Sequence, residues 1–407
     1  VVNDIKQRCK IFMGTQTPLS ENYKQYPVDL PCDENEALAL LRMQTARGLG
    51  IQSAHLLLAL CGTAQALWNP QNEDQQQARD LAQTKFPDLF STLTEQRALR
   101  EWARVQSLGL WTWSLTLGPY PHNLKQCPDA PLILFGQGPL NALGLNHPHR
   151  HRKLISVVGT RSMTPYGQDF LIDFMADLAT TGVIVVSGLA QGVDICAQLQ
   201  AHKNGLPTIS CLAHGMHQIY PAHHKKHIPL LLEQGGLITE YWYGERAQPA
   251  QFVRRNRIIA GLSEVTLVVE SPRKGGSMIT AHLAKSYERT LCAVPGRTSD
   301  LNSAGCLDVL AKPDYAHLVR HAADLFRHMG WDDFVPQTRK QVVPELNLAQ
   351  QDVLRALRQR GRATADHLSV DTHRPVSEVM GILLGLEIAE VLYRVEGGWF
   401  VPKTARN

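Results

Sequence analysis

The stretch Leu154-Ile155-Ser156-Val157-Val158-Gly159-Thr160-Arg161-Ser162, followed by Thr164-Pro165, joins an apolar run of strand length to a glycine, an arginine and a helix start. A strand covered on both faces reads as a continuous apolar run, and proline suits the first turn of a helix. The same figure recurs down the chain. Further runs stand at Val183–Ser187, Thr208–Leu212, Leu237–Glu240, Val265–Glu270 and Leu291–Val294, with helical patterns between them. Strands alternating with helices imply right-handed parallel crossovers. The fold class is therefore α/β, a Rossmann-like doubly wound parallel sheet. Trp111–Thr116 and Leu132–Phe135 are candidates for extra strands at its leading edge.

Working outward, residues 1–30 lack clear periodicity and read as an extension, and residues 31–110 read as a helical domain. Within it, Arg47-Gly48-Leu49-Gly50 interrupts two helical patterns, either as a helix-hairpin-helix turn that meets phosphate or as a plain helical cap. Residues 111–330 form the Rossmann-like domain. A Pro-bearing polar linker occupies 331–346, and 347–407 reads as a winged-helix-like domain with three helices and a terminal hairpin. In Glu345–Asn407 the acidic and basic residues balance, and the helix at Val376–Leu386 carries Glu378 as its only charge. Such a helix suits packing against protein better than reading a groove, which calls for Arg, Lys, Asn or Gln.

A hydrophobic share of 44% and a charged share of 19% are those of a globular protein. No apolar run approaches the roughly 18 to 20 residues of a membrane span. The net charge of +4 permits a polyanionic partner without requiring one. Eight cysteines form no CxxC pair, and Cys196, Cys211 and Cys292 lie in or beside apolar runs. That usage points to buried, reduced thiols and a cytoplasmic location.

In an open parallel sheet, ligands bind beyond the carboxyl ends of the strands. There stand Gly159-Thr160-Arg161-Ser162, Ser187-Gly188-Leu189-Ala190-Gln191-Gly192-Val193-Asp194 and Ser271-Pro272-Arg273-Lys274-Gly275-Gly276-Ser277. Three glycine-bearing loops predict a broad, donor-rich floor for anions. Neither GxGxxG nor GxxxxGK[ST] is present, so no dinucleotide or ATP cofactor is expected. No catalytic grouping has a recognisable local signature, and Asp194, Glu240 and Glu270 read best as loop organisers. In Phe252-Val253-Arg254-Arg255-Asn256-Arg257, helical geometry puts Arg254 and Arg257 on one face and Phe252 and Asn256 on another. The arginine face would be free for phosphates. Asn256 should tie down backbone, and Phe252 is either core or a platform for a base. His223-His224-Lys225-Lys226-His227 reads as a basic loop rather than a metal site, and no metal is expected.

These segments, in this order and together with Tyr220-Pro221, Arg255-Asn256-Arg257-Ile258-Ile259-Ala260-Gly261-Leu262, Gly275-Gly276-Ser277-Met278-Ile279-Thr280-Ala281 and Val294-Pro295-Gly296, resemble the motif series of the DprA (Smf) family. The resemblance spans about residues 120 to 310. It implies a non-enzymatic single-stranded DNA binder that protects incoming transforming DNA and loads the RecA recombinase. It also implies a homodimer and contact with single-strand-binding protein. Carried onto this chain, the DNA-binding residues are Gly159, Arg161, Gly188, Gly192, Phe252, Arg254, Arg257, Lys274, Gly276 and Ser277. Two positions depart from the family pattern: Gln198 stands where a histidine is usual, and Leu307-Asp308 follow Gly305-Cys306. The competing enzyme is a nucleotide-processing hydrolase of the lysine-decarboxylase-like group, whose PGGxGTxxE signature this chain lacks.

Overall fold

The computed structural model describes residues 32–145, 152–331, 346–389 and 391–402. The expected extension at 1–30, most of the linker and most of the His- and Arg-rich run His147–Lys153, which reads in the sequence as a surface connection, lie outside them. The chain divides into two compact units, 1–337 and 338–407.

Among the described residues the first unit is built on nine strands: β1 (Trp111–Ser114), β2 (Ile133–Gln137), β3 (Leu154–Val158), β4 (Ile184–Ser187), β5 (Thr208–Cys211), β6 (Gly236–Thr239), β7 (Val265–Val268), β8 (Thr290–Ala293) and β9 (His317–Leu318). They lie in the order β1-β2-β6-β5-β4-β3-β7-β8-β9. From β6 to β9 every pairing is parallel, as the six apolar runs imply. β1 and β2 extend the sheet at the β6 edge, as an antiparallel pair. β9 has only two residues, too short to leave a periodic signal, and sequence reading missed it.

Alternation along the strands divides the core. Leu154 and Val158 of β3 join one apolar cluster, while Ile155 and Val157 join the other. Between them Ser156 is buried, its hydroxyl donating to the Ile259 carbonyl at 2.7 Å. Helices α1 (Glu34–Thr45), α2 (Ile51–Cys61), α3 (Glu73–Lys85) and α4 (Thr92–Ser107) precede the sheet. Leu40, Leu57 and Leu58 share one cluster with Leu134 and Ile238, so these helices and the sheet have a continuous core.

The crossovers are α6 (Pro165–Asp177), α7 (Val193–Lys203), α8 (Ile228–Gln234), α9 (Pro249–Leu262) and α10 (Gly276–Ser286). The short α5 (His122–Lys125) precedes them, and α11 (Ala304–Leu310) and α12 (Ala322–Met329) close the unit.

The second unit holds α13 (Leu348–Arg360), α14 (Ala365–Thr372), α15 (Val376–Ile388) and an antiparallel hairpin of β10 (Leu392–Val395) and β11 (Trp399–Pro402). It has the winged-helix arrangement, with its own core of Val353, Leu357, Leu368, Val379, Leu383 and Phe400. Val376, Met380, Leu384 and Ile388 recur every four residues and are exposed on α15. Among the described residues, no helix is long and apolar enough to cross a membrane.

Candidate nucleic-acid interface

The loops after β3, β4 and β7 meet at the carboxyl edge of the sheet, and their contacts determine which residues face outward. The Thr160 amide donates to the Glu270 carbonyl at 2.7 Å, and the Val193 amide donates to the Thr160 carbonyl at 3.2 Å. Gly192 has φ +83, and a Cβ there would lie 2.3 Å from the Thr160 carbonyl oxygen. A side chain at 192 would therefore be strained and would separate the first two loops. Gly159 packs directly on Val193. Above these contacts Arg161 is exposed.

Glu270, buried at the end of β7, accepts from the Thr164 amide at 2.9 Å and the Thr164 hydroxyl at 2.6 Å. It thereby holds the N-cap of α6. Asp194, 7% exposed, accepts from the Gly188 amide at 3.1 Å. Burial pushes its carboxyl up to about 6, opposed by the positive charge of Arg255 and by amide and hydroxyl donors around it. Both carboxylates are loop organisers, as their positions suggested.

Arg255 was missed as a site residue. It is buried, and it donates to the Gly188 carbonyl at 2.7 Å and to the Cys211 carbonyl. Burial lowers its pKa, against the charge of Asp194. A Cβ on Gly188 would meet both the Arg255 guanidinium and the Asp194 carboxylate at 2.6 Å. Glycine is required there so that this buried cation and anion can close on the loop backbone. The available signal was the run Arg254-Arg255-Asn256-Arg257, where helical geometry points the second arginine away from the other two.

Three expectations are corrected. The Arg254/Arg257 face is not free. Arg257 is buried, with Nη2 2.5 Å from Glu240 Oε2, and the half-exposed Arg254 reaches the same oxygen at 3.4 Å. A buried guanidinium needs a counter-charge, and Glu240, just past β6, supplies it. Second, Gly188 offers no amide to a phosphate, because Asp194 already takes it. Third, Ser277 is buried and donates to Ser271 Oγ at 2.8 Å.

Lys274 and Gly276 are exposed, and the space beside Gly276 is open. Arg273 is exposed too, but Asp308 holds it at 2.7 Å. Asn256 ties down backbone as expected, donating to the Gly276 carbonyl at 3.4 Å.

Phe252 is half-buried. The Arg161 guanidinium stands 5.8 Å from its ring centre, and the exposed Tyr220 meets the same ring edge-on at 5.3 Å. His224 is buried and bonds the Leu189 carbonyl at 2.9 Å, so the histidine segment clamps the second glycine loop. Lys225 and Lys226 beside it are exposed. No group of three or more potential metal ligands occurs among the described residues. Gln198, at the family's usual histidine position, is buried and donates to Ser210 at 2.7 Å, joining α7 to β5.

A family model described as DNA recombination-mediator protein A matches residues 113–330, and one described as DprA winged helix domain matches 337–398. The putative DNA processing protein DprA of Mycobacterium tuberculosis is 34% identical over 281 residues, 68% of this chain and 70% of the relative. Protein Smf of Escherichia coli K12 is 33% identical over 291 residues, 69% of this chain and 74% of the relative. The X-ray structure of DNA processing protein A from Streptococcus pneumoniae aligns with TM-score 0.59 and 26% identity. It covers 73% of this chain and 98% of that one.

Proposed function

Since the chain belongs to the DNA recombination-mediator protein A family, we propose that it is a DNA-processing protein that binds single-stranded DNA along the carboxyl edge of its sheet. The observation that carries this reading is the exposed Arg161 standing over Phe252, with Tyr220 against the same ring. A cation beside two aromatic rings suits one phosphate and its neighbouring base, and only an unpaired strand presents base faces freely. In this reading Arg161, Lys274, Lys225 and Lys226 take phosphates, and open backbone at Gly276 lets the strand approach.

The finer role follows the family resemblance: protecting incoming strands and loading the RecA recombinase, as a cytoplasmic homodimer in contact with single-strand-binding protein. The protein acts by binding and not by turnover. Supporting this, the carboxylates a hydrolase would use at this edge are committed, Asp194 to the Gly188 amide and Glu270 to Thr164.

Titrating the full chain with labelled single strands and duplex of one sequence, at two salt concentrations, tests the reading. Single strands should bind at least about tenfold more tightly, with log K falling linearly in log salt. Equal affinity for duplex, or no salt dependence, would overturn it.

The second unit contributes little affinity in this reading. Among its described residues, Arg360 is paired with Asp371 at 2.6 Å and Arg374 with Glu378 at 2.6 Å. The exposed stripe of α15 is apolar. Deleting the chain after Val335 should therefore cost less than about tenfold in single-strand affinity, roughly 1.4 kcal/mol. A larger loss from a folded truncation makes the winged helix a DNA-binding module.

A further inference from the structure

Two more loops reach the carboxyl edge, after β5 and after β6, and each presents a ring. Phe252, under Arg161, meets the exposed Tyr220 of the β5 loop. In the same loop His217 is exposed; its Nδ1 bonds the Tyr243 carbonyl at 2.6 Å, and the two rings stand 5.9 Å apart. Tyr243, half-buried past β6, lies in turn under the Arg104 guanidinium of α4, 5.6 Å from its ring centre. The edge thus leads by alternating cations and rings from Arg161 to the helical region in front of the sheet.

The face of α4 that it reaches is basic. Arg97, Arg100 and Arg104 are all exposed and fall within about 60° of one another around the helix, over a rise of about 10 Å. Like charges three and four residues apart cost a helix stability, and a carboxylate one turn away is the ordinary remedy. Here the carboxylates are engaged elsewhere. Glu95 reaches Arg42 at 3.3 Å, and Glu101 is buried, accepting from the Tyr243 amide at 2.6 Å. Burial pushes the Glu101 carboxyl up, opposed by that amide and by the charge of Arg104. Glu245, beside Tyr243, accepts from the Trp242 amide at 3.2 Å and from Gln251 at 3.3 Å. Arg100 donates through Nε to the Gln96 carbonyl of its own helix, and among the described residues none of the three arginines stands in an ion pair.

We propose that a bound single strand continues past the loop edge, over His217 and Tyr243, onto the arginine face of α4. This rests on the loop-edge reading and extends it: Arg104, Arg100 and Arg97 take successive phosphates, and Tyr243 takes a base. Rings between the cations favour a single strand over an acidic protein, which would need the charges alone, and over a duplex, whose bases are stacked inside. The helical region then lengthens the strand that one chain holds.

Fluorescence titration of the full chain with oligothymidylates of about 6 and about 30 nucleotides, across a salt series, tests the track, since single-strand sites span about 4 to 16 nucleotides. The triple variant Arg97→Ala/Arg100→Ala/Arg104→Ala should bind the long strand at least about tenfold more weakly, with its salt slope flattened by about 2, for three phosphates at about 0.7 each. The short strand, held at the loop edge, should bind this variant as it binds the parent. Tyr243→Leu should cost the long strand at least about fivefold, the low end for one stacked base, and leave the slope unchanged. A general field of positive charge would not respond to that neutral substitution.

A long strand that binds the triple variant as tightly as the parent overturns the proposal and leaves the α4 face to an acidic protein. A short strand weakened as much as the long one overturns it too, because the arginines then act on the loop edge. Arg161→Glu should weaken both lengths. Indifference of both lengths to Arg161→Glu ends the loop-edge reading and the track with it, whereas indifference of the long strand to the triple variant ends the track alone.

Discussion

Arg161→Glu is expected to lower single-strand affinity about ten- to hundredfold without unfolding the protein. The side chain is exposed and touches the Phe252 ring from outside, so the substitution creates no buried charge. A charge-assisted hydrogen bond contributes about 1.5 to 3 kcal/mol, which sets the range. Removing one phosphate contact should also flatten the slope of log K against log salt by about 0.7 for a single strand. Phe252→Leu should weaken binding by a smaller factor with no change in that slope, because stacking releases no counterions. Filter binding across a salt series measures both quantities. An Arg161→Glu protein that is folded, and binds as the parent does at every salt concentration, removes Arg161 from the interface.

Arg255→Met should destabilise the first unit by about 3 to 5 kcal/mol, the scale for removing one member of a buried charge pair. Asp194 would lose its counter-charge, and the Gly188 and Cys211 carbonyls would lose their donor. In a thermal scan the loss appears as a drop of roughly 6 to 15 °C in the midpoint. Strand affinity should fall too, because the loop beneath Arg161 is stitched to the one Arg255 holds.

The wild-type pH profile carries a matching signature with a definite sign. Asp194 holds its proton to about pH 6 in the fold, against about 4 when unfolded. The folded state thus binds more protons between those values. The contribution is complete below about pH 4 and is lost as pH rises through about 6. Its size is of order 2 to 3 kcal/mol. Asp194→Asn should flatten the stability profile in that window. An unchanged slope there, or an Arg255→Met midpoint within about 2 °C of the parent, would refute the role given to the pair.

The strands were legible because a parallel sheet covered on both faces imposes an unbroken apolar run on each one. All six interior runs became strands in parallel register. The glycine loops were legible as loops, and Asn256, Asp194 and Glu270 as their organisers, since a polar group at a strand end must find a partner. The helix of Arg254 and Arg257 was legible as well. The two arginines do share a face, and both reach Glu240.

What occupies the space opposite that face was not legible. Glu240 comes from just past β6 and Asp194 from the start of α7, on elements other than the helix whose arginines they neutralise. The sequence by itself determined the sheet, its crossovers and the residues that gather at its carboxyl edge. The tertiary structure alone decided that Arg255 and Arg257 are internal cations and that Arg161 faces outward. The reason is desolvation. A guanidinium can be buried only where a carboxylate or carbonyl from another element meets it, and that meeting exists only after the strands have taken their order.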